Sequence, residues 1–185
     1  MPHSDDHTPV VLVDAQDNAL GTMGKMEAHE KGILHRAFSI FLFNRQGQLL
    51  MQQRASGKYH SALLWTNTCC SHPLPGEPVL AGAERRLNEE LGIQAELRHQ
   101  FTFIYRAHVG QLIEHELDHV LFGQWDLPLR PNPTEVAATR WMGVGALDAE
   151  IGTRPDAFTP WFLACWHQVR KRWPRRAQGL DALGG

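Results

Sequence analysis

Two adjacent cysteines, Cys69 and Cys70, lie in the run Leu64-Trp65-Thr66-Asn67-Thr68-Cys69-Cys70-Ser71-His72-Pro73. A thiol near an imidazole can take part in nucleophilic or proton-transfer chemistry, or can bind a metal. If the run is extended, side chains alternate, so Thr68, Cys70 and His72 share one face while Cys69 and Ser71 share the other. One cysteine then faces a site and its neighbour faces packing. A free thiol titrates near pH ~8.5, and adjacent cations lower that value and make thiolate available at neutral pH, while the sequence leaves open which group protonates. A second alternating pair occurs at Glu114-His115-Glu116, whose two carboxylates project to one side of a predicted strand and can chelate a hard cation. The competing reading is a solvated sheet face, which the apolar Leu112 and Val120 on the same side disfavour. His115 and His119 lie on the opposite face and form a rival metal pair. Upstream, Lys25, His29 and His35 precede a long predicted strand. Taken together, His29, His35, His72, Glu114 and Glu116 supply three imidazoles and two carboxylates, a donor set suited to six-coordinate Zn²⁺, Mn²⁺ or Mg²⁺.

A third group lies on a helix. In Arg85-Arg86-Leu87-Asn88-Glu89-Glu90-Leu91-Gly92-Ile93 two arginines precede two carboxylates by one turn. A solvated, ion-paired face is the ordinary explanation of such a pattern. The stretch also resembles the Nudix signature, a loop-helix-loop whose helix carboxylates hold a divalent cation bound to a diphosphate, and Glu77 falls at that pattern's upstream glutamate. Two positions depart from it. Ser71 stands where the signature opens on glycine, and Arg86 replaces the first glutamate of the REUxEE run. A missing glutamate argues against ordinary pyrophosphohydrolysis, and an arginine there places positive charge beside phosphates.

These residues need elements to hold them. Val10–Asp14 reads as a buried strand, and Leu42–Leu50 as two strands joined by a turn containing Gly47. Pro78–Leu91 places Val79, Ala83, Leu87 and Leu91 four residues apart, with Gly92 where a C-capping glycine belongs, and so predicts a helix. Ala95–Tyr105, Glu114–Trp125 and Thr139–Met142 read as strands, broken by Val109-Gly110 and by Pro128–Pro133. Phe158–Trp173 reads as a helix with Thr159 at its N-cap and Pro160 in its first turn. Strands and helices without strict alternation predict an α+β domain rather than a doubly wound parallel sheet. The expected organisation is one domain over 1–185, with flexible tails at about 1–8 and 174–185.

The composition sets outer limits. The 185 residues are 43% hydrophobic and 21% charged, ordinary values for a packed domain. A net charge of −2 gives no general attraction to nucleic acid. The three cysteines form no disulfide framework. The N-terminus is polar and no apolar run approaches the ~20 residues that span a bilayer, so a cytoplasmic location is expected.

Jointly these segments resemble a type I isopentenyl-diphosphate isomerase over about Val10–Trp166. The resemblance rests on Trp65–Pro73 read as WTN-x-x-C-x-HP, on Glu114-x-Glu116, on the RRxxxELG portion of Arg85–Gly92, and on Phe158–Trp161. It implies a Nudix-like mixed β-sheet core sandwiched between helices, and conversion of isopentenyl diphosphate to dimethylallyl diphosphate through a carbocation-like state. It implies Cys70, Glu116 and Tyr105 in proton transfer. It implies one Mn²⁺, Mg²⁺ or Zn²⁺ on His29, His35, His72, Glu114 and Glu116, and a Mg²⁺ with the substrate diphosphate on Glu90 and the Cys70 carbonyl. Lys25, Arg54, Lys58 and Arg86 fall on the diphosphate-binding cations and Trp161 on the aromatic facing the hydrocarbon. The implied partner is a small isoprenoid diphosphate, with no nucleic acid and no membrane span, bound by a monomer or weak homodimer. The chain departs from the pattern at Ser61-Ala62-Leu63, where an aromatic-Pro-Gly segment is expected, and is one residue shorter between His29 and His35. The alternative is a Nudix hydrolase of a small diphosphate.

Overall fold

A computed structural model of the chain describes residues 8–173. The expected tails therefore lie outside the described residues except for Thr8. Nine strands run in chain order: β1 (Pro9–Val13), β2 (Ala19–Gly24), β3 (His35–Phe43), β4 (Leu49–Arg54), β5 (Trp65–Thr66), β6 (Cys69–Ser71), β7 (Leu97–Val109), β8 (Leu112–Gln124) and β9 (Val136–Met142). Four α-helices accompany them: α1 (Lys25–Lys31) between β2 and β3, α2 (Val79–Leu91) after β6, then α3 (Val144–Thr153) and α4 (Pro160–Lys171).

The strands form one mixed sheet organised around β3. Parallel β8 lies along the whole of β3, antiparallel β6 pairs with its middle, and β4 joins at its end. Alternation along β3 sends Phe38, Ile40 and Leu42 to one face and Phe41 and Phe43 to the other. The first set packs with Cys69, Leu121 and the α2 residues Ala83, Leu87 and Leu91. The second packs with Val120, Phe122 and the α4 residues Phe162, Cys165 and Val169. Helices thus cover both faces, which is the α+β sandwich expected. Because β3 is buried on both faces, its sequence is a nearly continuous apolar run.

The α2 helix ends at Gly92, whose φ of 66° is the left-handed value a C-capping glycine supplies. Three elements were not legible. Helix α1 has seven residues and buries only Ala28 and His29, and α3 buries only Leu147, so neither carries a helical apolar stripe. Strand β2 is mostly exposed and contains two glycines. The last helix begins at Pro160 with Thr159 at its N-cap, as expected, yet the Thr159 hydroxyl does not cap it. That hydroxyl donates instead to Thr66 Oγ1 at 2.9 Å and ties α4 to β5.

The loop from β4 to β5 contains Ser61 at φ 50° and Leu63 at φ 62°. Both are left-handed, a conformation that costs an L side chain ~1–2 kcal/mol. Leu63 occupies the position where the resemblance expects glycine, and its side chain is about half exposed. Leu63→Gly is therefore expected to raise stability by ~0.5–1 kcal/mol, the strain relieved less the glycine's greater unfolded entropy. A lowered denaturation midpoint in urea for this variant would contradict that expectation.

Candidate active site

Strand register assembles the site. Across β3 and β8, His35 lies opposite Glu116; across β7 and β8, Tyr105 lies opposite the same Glu116; across β3 and β6, Ser39 lies opposite Cys70. Period-two alternation on β8 sends Glu114, Glu116 and Asp118 to the same side as Val120. Helix α1 brings His29 over this surface, the loop after β4 brings Tyr59 and His60, α2 brings Arg86 and Glu90, and α4 brings Trp161. Nearly all of these side chains line one open cleft enclosing about 650 Å³. Every residue that the resemblance implied for catalysis, metal or substrate borders that cleft except His35, which is wholly buried behind it.

The imidazoles are oriented by backbone carbonyls. His29 Nδ1 lies 2.6 Å from the Lys25 carbonyl oxygen and His35 Nδ1 lies 2.8 Å from that of Ile33. A carbonyl only accepts, so both Nδ1 atoms carry hydrogen and both Nε2 atoms face inward. His29 Nε2 is 3.1 Å from Glu114, His72 Nε2 is 2.8 Å from Glu116 Oε1, and His35 Nε2 is 3.6 Å from the same oxygen. His35 Nε2 is buried with no hydrogen-bond partner. An orphaned inward nitrogen, two more imidazoles and two buried carboxylates make a donor set that fits a divalent cation. One donor atom each from His29, His35, His72 and Glu116 lies within 4.8 Å of the others.

Burial alone would push the Glu116 carboxyl up, but the imidazoles of His35 and His72 outweigh it and hold Glu116 well below the usual carboxylate range. Glu116 is therefore ionised. Tyr105 donates its phenol to Glu116 Oε2 at 2.5 Å, and burial followed by the Glu116 charge keeps that phenol protonated. Burial takes His72 down to about 4, so its ring is neutral.

Cys70 lies beneath Trp161, whose Nε1 is 3.2 Å from Sγ, and its thiol donates to Asn67 Oδ1 at 2.9 Å. Burial first, and then the neighbouring Asp118 carboxyl, push the thiol up to about 12. Apolar enclosure dominates over the cations at the far side of the cleft, which would otherwise make thiolate available, so Cys70 carries its proton. Cys69 is fully buried among the residues under α2, as alternation requires. Thr68 corrects that reading in part. It precedes β6 and turns inward, where its hydroxyl donates to the Leu50 carbonyl at 2.7 Å instead of entering the site.

At the other end of the cleft Arg86 pairs with Glu90 at 2.7 Å and Glu89 at 2.8 Å, while Gln52 donates to the second Glu90 oxygen at 3.1 Å. Lys58 is paired with Glu135, which also lies 3.4 Å from Arg86. The Arg54 guanidinium rests over Trp161 at 5.2 Å, and Lys25 Nζ over Tyr59 at 5.2 Å. Two of the four cations that line the cleft, Arg86 and Lys58, thus meet carboxylates, the buried Glu90 and the part-exposed Glu135. The rival pair is not a site: His115 is tied to the Gly32 carbonyl and His119 to Asp17 on the far face of the sheet.

Glu77 holds the loop ahead of α2. Arg85 grips both its oxygens, at 2.8 and 2.9 Å, and the Leu74 amide donates to Oε2 at 2.8 Å. The Arg85 pair holds Glu77 below its ordinary value against a smaller effect of burial. A depressed folded-state value contributes stability that is present above the unfolded carboxylate range and is lost as pH falls through the folded one. Glu77→Gln is expected to cost ~0.5–1 kcal/mol at pH 7, with the deficit shrinking as pH falls through the lowered folded-state range of Glu77. Urea denaturation of both proteins at several pH values checks this, and a deficit that persists at low pH contradicts it.

The profile of the NUDIX domain matches residues 33–162. A Serratia proteamaculans protein named isopentenyl-diphosphate Delta-isomerase is 49% identical over 173 residues, covering 91% of this chain and 97% of that one. A second, the isopentenyl-diphosphate Delta-isomerase 2 of Aromatoleum aromaticum, is 48% identical over 86% of this chain and 85% of its own. This chain belongs to the isopentenyl-diphosphate Delta-isomerase family. Among solved structures, a Deinococcus radiodurans protein superposes with a TM-score of 0.72 at 19% identity, covering 90% of this chain and 99% of that one, and shares the Nudix fold.

Within an isomerase of this family the departures become informative. Arg86, the break in the Nudix run, reaches one turn forward along α2 to Glu90 and across to Glu135. Asp118 was missed although it continues the Glu114, Glu116 alternation by two more residues. It is buried, receives the Ser39 hydroxyl at 2.7 Å, and is pushed well above the usual range by burial and then by the Glu116 charge. Glu135, Gln52, Asn67, Thr66 and His60 were also missed. Glu135, Asn67, Thr66 and His60 belong to short or loop segments, where no periodicity marks which side chains face a cleft, and Gln52 lies on β4.

Proposed function

We propose that the chain isomerises isopentenyl diphosphate to dimethylallyl diphosphate. The observation that carries this reading is a cleft with an ionised Glu116 held by Tyr105, a protonated Cys70 beneath Trp161, and a rim of four cations. An allylic shift adds a proton at the terminal alkene carbon and removes one two carbons away, on opposed sides of the substrate. Two such transfers need one group that holds a proton and one that lacks it. Cys70 and Glu116 meet that need in the charge states the site imposes.

Trp161 turns its ring toward the hydrocarbon and can steady developing positive charge by roughly 0.5–2 kcal/mol. Lys25, Arg54, Lys58 and Arg86 bind the diphosphate, and that remote binding holds the alkene between the two proton-transfer groups. His29, His35, His72, Glu114 and Glu116 hold one Mn²⁺, Mg²⁺ or Zn²⁺, while Glu90 with the Cys70 carbonyl serves a Mg²⁺ that accompanies the diphosphate. When bound, the first ion fixes the charge on Glu116 and the second neutralises phosphate charge. Among the described residues no helix is long and apolar enough to cross a membrane. We take the enzyme to be cytoplasmic and to act as a monomer or weak homodimer.

Proton NMR of isopentenyl diphosphate in D₂O with enzyme and Mg²⁺ tests the assignment. Dimethylallyl diphosphate carrying deuterium is the expected product. Release of inorganic phosphate or pyrophosphate without migration of the double bond would instead favour a Nudix hydrolase.

A further inference from the structure

His60 belongs to none of the segments that carry the family resemblance, yet it enters the metal-binding cluster. Its ring is 7% exposed, and Nε2 lies 2.8 Å from Glu114 Oε1, while the other Glu114 oxygen lies 3.1 Å from His29 Nε2. One donor atom each from His29, His60 and Glu114 falls within 4.8 Å of the others, a second group that shares His29 with the first. The His60 ring is held on two sides, edge-on to Tyr59 at 4.4 Å and to Trp161 at 5.7 Å, and its carbonyl accepts from Arg54 at 3.2 Å. The two left-handed residues that follow, Ser61 and Leu63, give the loop the turn that brings this ring inward.

The two groups cannot serve two ions. His29 Nδ1 is committed to the Lys25 carbonyl, so the residue offers a single lone pair, at Nε2, and one lone pair binds one metal. The groups are therefore halves of one site. We infer that His60 is a sixth protein ligand to the ion held by His29, His35, His72, Glu114 and Glu116, completing a four-imidazole, two-carboxylate shell. This rests on the five-residue metal site proposed above and adds to it. Six protein donors fill an octahedral ion with no position left for water or substrate, so the ion acts through its charge and not by contact with the reacting atoms. A fourth imidazole also shifts selectivity from Mg²⁺ toward Zn²⁺ and other nitrogen-preferring ions.

The test uses the full chain, stripped with a chelator and reloaded with one metal at a time. With ¹¹³Cd²⁺ and ¹⁵N-histidine labelling, four imidazole nitrogens are expected to show coupling to the metal, and the one lost in His60→Gln assigns His60. The Zn²⁺ affinity of His60→Gln, measured against a chromophoric chelator, is expected to fall on the order of tenfold or more, with Mg²⁺ affinity changed by no more than about twofold. Glutamine keeps a donor for Glu114, so a residue that only hydrogen-bonds that carboxylate leaves Zn²⁺ affinity intact. Three coupled nitrogens in the wild-type protein overturn the inference and leave the five-residue site standing, and this reading needs no variant to fold. No coupled nitrogen at all overturns the five-residue site itself.

Discussion

Replacing Cys70 with alanine is expected to lower kcat for alkene isomerisation on the order of 10³-fold or more, with the fold retained. The thiol sits at the apolar end of the cleft with its proton directed at Asn67 and the Trp161 indole above it. Cys70→Ala leaves Asn67 its two backbone partners, the carbonyls of Ile40 and Cys69, so the turn that shapes the site remains. Cys69→Ala is the matched control. It removes a sulfur from the core under α2, costs ~1 kcal/mol of stability and leaves turnover within a few-fold. Turnover measured by deuterium uptake, with thermal melts of both variants, separates the two outcomes. Equal losses from the two substitutions, or turnover retained in Cys70→Ala, would remove Cys70 from the chemistry.

Glu116→Gln is expected to be as severe, and for two reasons at once. Its carboxylate is the one His35 and His72 hold ionised and the one to which Tyr105 donates. The amide neither accepts a proton readily nor binds a cation well, so loss of isomerisation on the order of 10³-fold accompanies 10- to 100-fold weaker binding of metal at the His/Glu cluster. Tyr105→Phe isolates the first effect. It removes the 2.5 Å hydrogen bond but no ligand, so kcat falls while metal content stays at the wild-type level. Metal content by mass spectrometry together with kcat checks both variants. A Glu116→Gln protein that loses its metal yet turns over normally would sink the proposed role.

Much of this site was legible because it sits on strands. Period-two alternation separated Cys70 from Cys69 and put Glu114 and Glu116 on one face, and the sheet obeys both readings. The α2 helix was legible from four-residue apolar spacing and its closing glycine. The charge state of Cys70 was not legible, because a sequence displays nearby cations but not the depth at which a thiol is enclosed. Asp118 lay within reach of the same alternation rule and was not singled out. His60 was out of reach of any periodic rule, since a loop places side chains through backbone turns that Ser61 and Leu63 do not advertise. Helix α1, with two buried residues, is held by its neighbours and not by an apolar stripe of its own.

The paired cysteines of β6 also bear on how the strand could go wrong. A slip of one residue against β3 would exchange the faces of the whole strand and still deliver a thiol to the cleft, now from Cys69. The thiols are therefore blind to the error. Discrimination falls to their neighbours, because the same slip sends His72 into the core and Ser71 into the metal cluster, and pulls the Cys69 carbonyl away from the Asn67 amide. Accuracy of assembly at the reacting thiol is thus guaranteed by an imidazole and an amide on either side of it.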